Sequence, residues 1–370
     1  MKGWRRMKKF LAIILALVMC STLLFTACSD ENSLNETTVA TVDGVNVSQA
    51  DFNLMYKLSY DQMAQYSQSY GEGWFNVEID DKGTTIGAYM KNQAMDSVVE
   101  LIAIEKLAAE KGVKNDEKML DEQLSNIKQQ QGGESGYKQF LEAYRTTDEA
   151  VKKYVERVML YENLSAKLSE EGGVAYISDD SVLPEFNEKY MRVQHVLIQS
   201  APAEEGGESN DEEALAKANE VISKLAEGAD FDSLIEEYNE DPGITKGNYY
   251  TFTDGQMVIE FEEASKNLQV GEYTKEPVKT DYGYHIIKRY ELTTDCDEFN
   301  ALKNEKSQVI VSGIIETKVK DIKVEKKDDV INKYVEAWLK ELGVNVNAPK
   351  TPYVAPEVTE EVPAEETPAE

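Results

Sequence analysis

From residue 39 to residue 47 apolar and polar side chains alternate around Asp43-Gly44, which predicts a short strand or hairpin. Ser48-Gln49-Ala50-Asp51 follows with the side chains of a capping box, so a helix should begin there. Phe52, Met55, Tyr56, Met63, Tyr66 and Tyr70 recur at helical spacing as far as Gly71. Such a stripe is most often core, although its Tyr and Met content also suits an adaptable peptide-binding surface. A second helix is expected from Thr84 to Lys111, with Met95, Val98, Val99, Ile102, Leu107 and Ala108 inward and Gly112 as its stop. Shorter helices are expected over 116–130, 135–144, 147–169 and 179–190, with breaks at Gly132-Gly133 and Thr146-Thr147.

The period then changes. Met191 to Ile198 alternates as a strand does, and helical stripes follow at 214–225 and 231–238. Tyr249 to Phe252 reads as a strand and 257–268 as a helix. Two more strands, 273–280 and 284–291, flank Asp281-Tyr282-Gly283. The result is a β-α-α-β-α-β-β block of ordinary domain size, and its mixture of elements predicts an α+β fold. Helical character returns at Asp297 and ends with Val335, Trp338 and Leu339 on one helix.

The ends of the chain set the compartment. Lys2, Arg5, Arg6, Lys8 and Lys9 precede an uncharged stretch from Phe10 to Ala27, the order of a secretory signal peptide rather than of a retained membrane helix. Thr26-Ala27-Cys28, followed by Ser29-Asp30-Glu31, resembles a bacterial lipobox, whose cysteine becomes the lipidated N-terminus of the mature protein. That resemblance implies an extracytoplasmic protein held on the outer face of the bacterial cell membrane by a lipid on Cys28. Of the three cysteines only Cys296 would then remain as a thiol, so no internal disulfide supports the fold. A net charge of −30 disfavours nucleic acid as a partner and favours solubility. Residues 348–370 hold five of the nine prolines and six Glu, and read as a disordered acidic tail.

Chemistry centres on the two histidines of the chain, His195 and His285, each in the middle of an apolar strand of the same block. Taken singly, each would more often be a hydrogen-bonded structural residue. As a pair in matching strands they suggest one shared site. Around them stand Arg192–Ile198, Gly228-Ala229-Asp230-Phe231, Tyr238-Asn239-Glu240-Asp241, Gly255-Gln256-Met257-Val258 with Phe261, Gly271-Glu272, and Pro277-Val278-Lys279-Thr280 leading into Tyr282–Ile287. In order and spacing this series resembles a parvulin (PpiC-type) peptidyl-prolyl isomerase domain over residues 191–291. The flanks, with Ala40–Gly44, Ser48–Phe52 and Lys111-Gly112-Val113, resemble the extracytoplasmic foldase lipoproteins of the PrsA type and the SurA-type periplasmic chaperones.

The resemblance implies a parvulin module inserted in a helical chaperone domain built from both flanks. The expected divisions are a signal peptide 1–27, a tether 28–38, an N-terminal helical region 39–190, the module 191–291, a C-terminal helical part 292–347 and the tail 348–370. It implies that His195, His285 and Asp241 form the polar base of the site, with Thr280 and Tyr282 supplying hydroxyls. Met257 and Phe261 would receive the proline ring and Tyr249 would help line that pocket. The implied partners are unfolded or newly exported polypeptides and, through Cys28, the membrane; self-association stays open. No cofactor or metal is expected, because isomerisation makes and breaks no covalent bond and Asp241 alone would complete a poor metal cage. Lys246-Gly247-Asn248-Tyr249-Tyr250 stands where parvulins commonly read Gly-Gly-Asp-Leu-Gly, and the loop 199–213 carries six acids and no Lys or Arg. The 246–250 stretch leaves open a parvulin-like module that binds clients with weak or no turnover, and the acidic loop lacks the basic cluster with which phosphate-directed parvulins hold phospho-Ser/Thr. A solute-binding lipoprotein is a further alternative, disfavoured because such a protein needs alternating strands and helices over two lobes.

Overall fold

The computed structural model describes residues 31–64, 71–200 and 210–353. Cys28, Tyr66, Tyr70 and most of the acidic loop lie outside the described residues. The strands are β1 (Thr38–Val42), β2 (Val45–Ser48), β3 (Tyr190–Gln199), β4 (Tyr250–Thr253), β5 (Val278–Thr280), β6 (Gly283–Tyr290) and β7 (Val324–Lys326). They form two antiparallel sheets, ordered β2-β1-β7 and β4-β3-β6-β5. The chain divides into two compact units, residues 174–309 and the segments on either side of them.

In the flanking unit, β1 and β2 form the hairpin expected around Asp43-Gly44. Asp43 turns with φ of 49°, a left-handed conformation that Asp tolerates better than most residues. The capping box closes reciprocally at the next helix, Gln49–Ala64. Asp51 N–H donates to Ser48 Oγ at 3.1 Å and Ser48 N–H donates to Asp51 Oδ2 at 3.0 Å. Helices Ile86–Glu110, Glu117–Gln130 and Asp148–Ser169 begin at Thr85, Asp116 and Thr147, whose side chains each accept a backbone N–H of the first turn. Phe52, Tyr56, Met90, Met95 and Ile102 are fully or almost fully buried in one core. Ile331, Val335, Trp338 and Leu339, from the helix Asp328–Glu341, close that same core. β7 pairs with β1, so the segments on either side of the central unit share a sheet as well as a core.

Several boundaries differ from the expectation. Residues 31–36 of the expected tether form a helix whose Leu34 is buried against Ala50 and Ala150. The beginning of the expected tail is tied down: Glu78 N–H donates to Thr351 O at 2.9 Å, and Asn76 Nδ2 donates to Ala348 O at 2.6 Å. The central unit reaches beyond 191–291 in both directions, because Val182 and Phe186 of the helix Asp179–Lys189 bury against Phe299 and Leu302. β7 was not foreseen; three residues, only one of them apolar, give no readable alternation.

In the central unit, β3 and β6 are the inner strands of the four-stranded sheet. Period two sends Val196 and Ile198 of β3, with Tyr284 and Ile286 of β6, into a core with the helices Asp211–Ala226 and Phe231–Tyr238. Met191, Val193 and Ile287 occupy the opposite face beside Phe252 and Phe261. Phe261 comes from the short helix Ile259–Lys266.

Candidate active site

Both histidines lie on the face that carries Phe261. The antiparallel register sets His195 opposite Ile287 and Leu197 opposite His285, so the imidazoles are diagonal neighbours. Their ring centroids are 5.1 Å apart, and Phe261 presents its ring edgewise to both, at 5.2 and 5.3 Å. They are 2 % and 5 % exposed. Burial is the main cause that pulls the His195 imidazole down to about 4, against the opposing pull of Asp241. His285 falls to about 3, through burial first and the neighbouring His195 second. Both rings are therefore neutral at physiological pH.

Asp241 reaches this face through the segment after the Phe231–Tyr238 helix. Asn239 Oδ1 accepts from Leu197 N–H of β3 at 2.9 Å and from Asp241 N–H at 3.2 Å, and Glu240 N–H donates to Leu197 O. These bonds lay the segment along β3 and bring Asp241 Oδ2 to 2.9 Å from His195 Nε2. Asp241 Oδ1 accepts from Gly243 N–H at 2.8 Å. On the other side, Thr280 Oγ1 lies 2.9 Å from His285 Nε2 and accepts from Tyr282 N–H at 3.2 Å. Both histidine Nδ1 atoms are buried without a hydrogen-bond partner.

The structure thus brings His195, His285, Asp241 and Thr280 together beside Phe261. Met257 packs in the same apolar cluster, and its N–H donates to the buried Glu262 carboxylate at 2.9 Å, which fixes the loop that carries it. Tyr282 stands at the rim, 63 % exposed. Tyr249 does not join them. Its ring lies under the Arg192 guanidinium at 3.6 Å and edge-on to Tyr290 at 5.0 Å. The neighbouring Tyr250 packs against His195 instead, with centroids 5.6 Å apart, and its Oη donates to Asp241 Oδ2 at 3.1 Å. Alternation carried the signal: Tyr250 shares its strand face with the core residue Phe252, and Tyr249 must point the other way. Asn239 was missed as a positioning side chain although it stands inside the Tyr238–Asp241 motif.

This is a polar patch of neutral imidazoles, a hydroxyl and a carboxylate, walled by Phe261 and Met257. Among the described residues no group of three or more His, Cys, Asp or Glu side chains is arranged to hold a metal ion. It suits binding of an apolar group with polar stabilisation beside it.

Comparison with known proteins agrees on both units. The PPIC-type PPIase domain family matches residues 182–292, and the SurA-like N-terminal domain family matches residues 1–165. A foldase protein PrsA of Geobacillus kaustophilus is 32% identical over 67% of this chain and 83% of its own length. One from Caldanaerobacter subterraneus subsp. tengcongensis is 26% identical over 86% and 97% of the two chains. The crystal structure of PrsA from Bacillus subtilis is 27% identical and covers 68% of this chain and 94% of its own, with a TM-score of 0.29. The family assignment rests on the sequence relatives.

Proposed function

The chain belongs to the PrsA foldase family, and from that premise we propose how its site works: His195, His285, Asp241 and Thr280 stabilise the twisted amide of an X–Pro bond while Phe261 and Met257 hold the proline ring. The protein is a foldase that combines peptidyl-prolyl isomerase and chaperone functions. The observation that carries the site assignment is the clustering of four buried or half-buried polar side chains around the edge of Phe261.

The chemistry asks little of these groups. Rotation about the X–Pro amide must break resonance against a barrier of about 18–20 kcal/mol, while the two isomers differ by only about 0.5–1 kcal/mol. At the twisted geometry the proline nitrogen becomes pyramidal and gains a lone pair. A preorganised polar surface that needs no reorganisation stabilises that state over the planar one. Neutral imidazoles serve here because each presents a donor or an acceptor according to its tautomer. Thr280 bears on His285 Nε2, and Asp241 bears on His195 Nε2. Tyr282, exposed at the rim, would offer a further hydroxyl at the mouth of the site.

In the same reading the flanking unit holds unfolded client segments, Cys28 carries the lipid, and the protein works outside the cytoplasm on exported polypeptides. The direct test is acceleration of cis/trans exchange in an unphosphorylated X–Pro peptide, together with a client-aggregation assay. Protection of clients with no acceleration would favour a binding-only module.

A further inference from the structure

Tyr250 stands where the pattern Gly-Gly-Asp-Leu-Gly ends in its last glycine, so the chain places a phenol where that pattern has no side chain. The surroundings are shaped to it. Tyr250 Oη donates to Asp241 Oδ2 at 3.1 Å, the same oxygen that faces His195 Nε2 at 2.9 Å. The other carboxylate oxygen is taken by Gly243 N–H at 2.8 Å. A Cβ on Gly243 would lie 2.2 Å from Tyr250 Oη, so the turn after Asp241 closes over the phenol only because residue 243 has no side chain. Burial and the Asp241 charge push the Tyr250 hydroxyl up to about 12, so it remains a donor at every pH at which the protein works.

We propose that Tyr250 is a positioning residue of this site: its hydroxyl holds the Asp241 carboxylate in one orientation against His195 and absorbs part of its charge, and Gly243 is the gap that admits it. A carboxylate oxygen shared between two neighbours offers less charge to each. Without the phenol hydroxyl, Oδ2 would face His195 alone, favour its imidazolium and loosen the carboxylate. The titratable groups around His195 are Asp241, Tyr250 and His285. The proposal rests on the reading of this site as an isomerase, yet the Tyr250–Asp241–His195 relation has a readout separate from turnover.

The chain has two histidines, so the full-length protein with 13C-labelled histidine yields two titrating rings, distinguished by their different neighbours. In Tyr250→Phe, which keeps the ring, the His195 pKa is expected to rise by about half a unit or more. kcat/KM on an unphosphorylated X–Pro peptide should fall about threefold to tenfold, the size of one hydrogen bond, with the loss in kcat rather than KM. Gly243→Ala should cause a similar loss in the wild-type background and a smaller one in the Tyr250→Phe background, where the 2.2 Å collision is gone and only the 3.2 Å approach to Asp241 Oδ1 remains. An unchanged His195 titration in Tyr250→Phe would overturn the proposal and leave the ring as packing alone. An equal further loss from Gly243→Ala in that background would overturn the role given to Gly243. Absence of isomerisation in the wild type would remove the functional reading, while the histidine titration would still decide the role of Tyr250.

Discussion

Trp338→Ala is expected to destabilise the unit formed by the two flanks by about 3–5 kcal/mol. Trp338 is 4 % exposed, its ring lies 5.8 Å from that of Tyr56, and the Arg145 guanidinium sits 5.6 Å from its centroid. Burying about 200 Å² of indole at about 25 cal/mol per Å² stabilises by about 5 kcal/mol, and the Arg145 contact adds about 0.5. Partial collapse of the cavity returns some of this. For a unit of this size the unfolding midpoint should fall by on the order of 10 °C. In a chain beginning at Ser29 the remaining tryptophans are Trp74 and Trp338, both in this unit, so the fluorescence of Trp74 follows its unfolding in the variant. Peptide isomerisation below the transition should stay near the wild-type rate, because its residues belong to the other unit. A loss under about 1 kcal/mol would refute the claim that the C-terminal helix completes the core begun by Phe52 and Tyr56.

Acid should act through the buried histidines: their folded pKa values lie below the unfolded value of 6.5, so the stability they confer is full above that pH and is lost as pH falls towards about 4 and 3. The midpoint of the central unit, followed by calorimetry, should already decline between pH 6.5 and 5 and decline less in His195→Gln; identical slopes would contradict this. Phospho-Ser before proline should not raise the isomerisation rate, because the six acids of residues 199–213 oppose a phosphate; a clear gain on phosphorylated peptides would count against that. Cys28→Ala should abolish fatty-acid labelling, and unchanged labelling would end the lipobox reading. A chain ending at Tyr353 should match the full chain in stability, whereas one ending at Asn347 should lose about 1 kcal/mol with the bonds of Thr351 and Ala348; equal stability of the two would show that those bonds contribute nothing.

What the sequence revealed depended on how far each signal reaches. The capping box at Ser48–Asp51 and the helices that follow are local; Ile86–Glu110 and Glu117–Gln130 agree with the periodicity to within a few residues, while the expected end of the first helix at Gly71 falls beside residues outside the described ones. His195, His285, Asp241, Thr280, Met257 and Phe261 were legible because motif spacing carries their order along the chain. Tyr249 lies away from the site because strand alternation, which motif spacing does not encode, assigns the inner face to Tyr250. Leu34 and β7 escaped notice because each owes its place to distant partners, Ala50 with Ala150 and β1, that no local pattern announces. The central unit extends past 191–291 for the same reason: Phe186 and Phe299, 113 positions apart in sequence, meet with ring centroids 5.1 Å apart.

The central claim is that the buried polar cluster beside Phe261 catalyses prolyl isomerisation, and cis/trans exchange measured on an unphosphorylated X–Pro peptide with wild type and Asp241→Ala/His285→Ala tests it most directly. Removing both groups leaves Phe261 and Met257 to hold the proline but takes away two of the four groups of the preorganised polar surface, so the account predicts acceleration by the wild type and a loss of about a hundredfold in the double variant. Thermal unfolding of the same samples establishes that the variant is folded at the assay temperature. Wild-type turnover in a well-folded double variant would contradict the account.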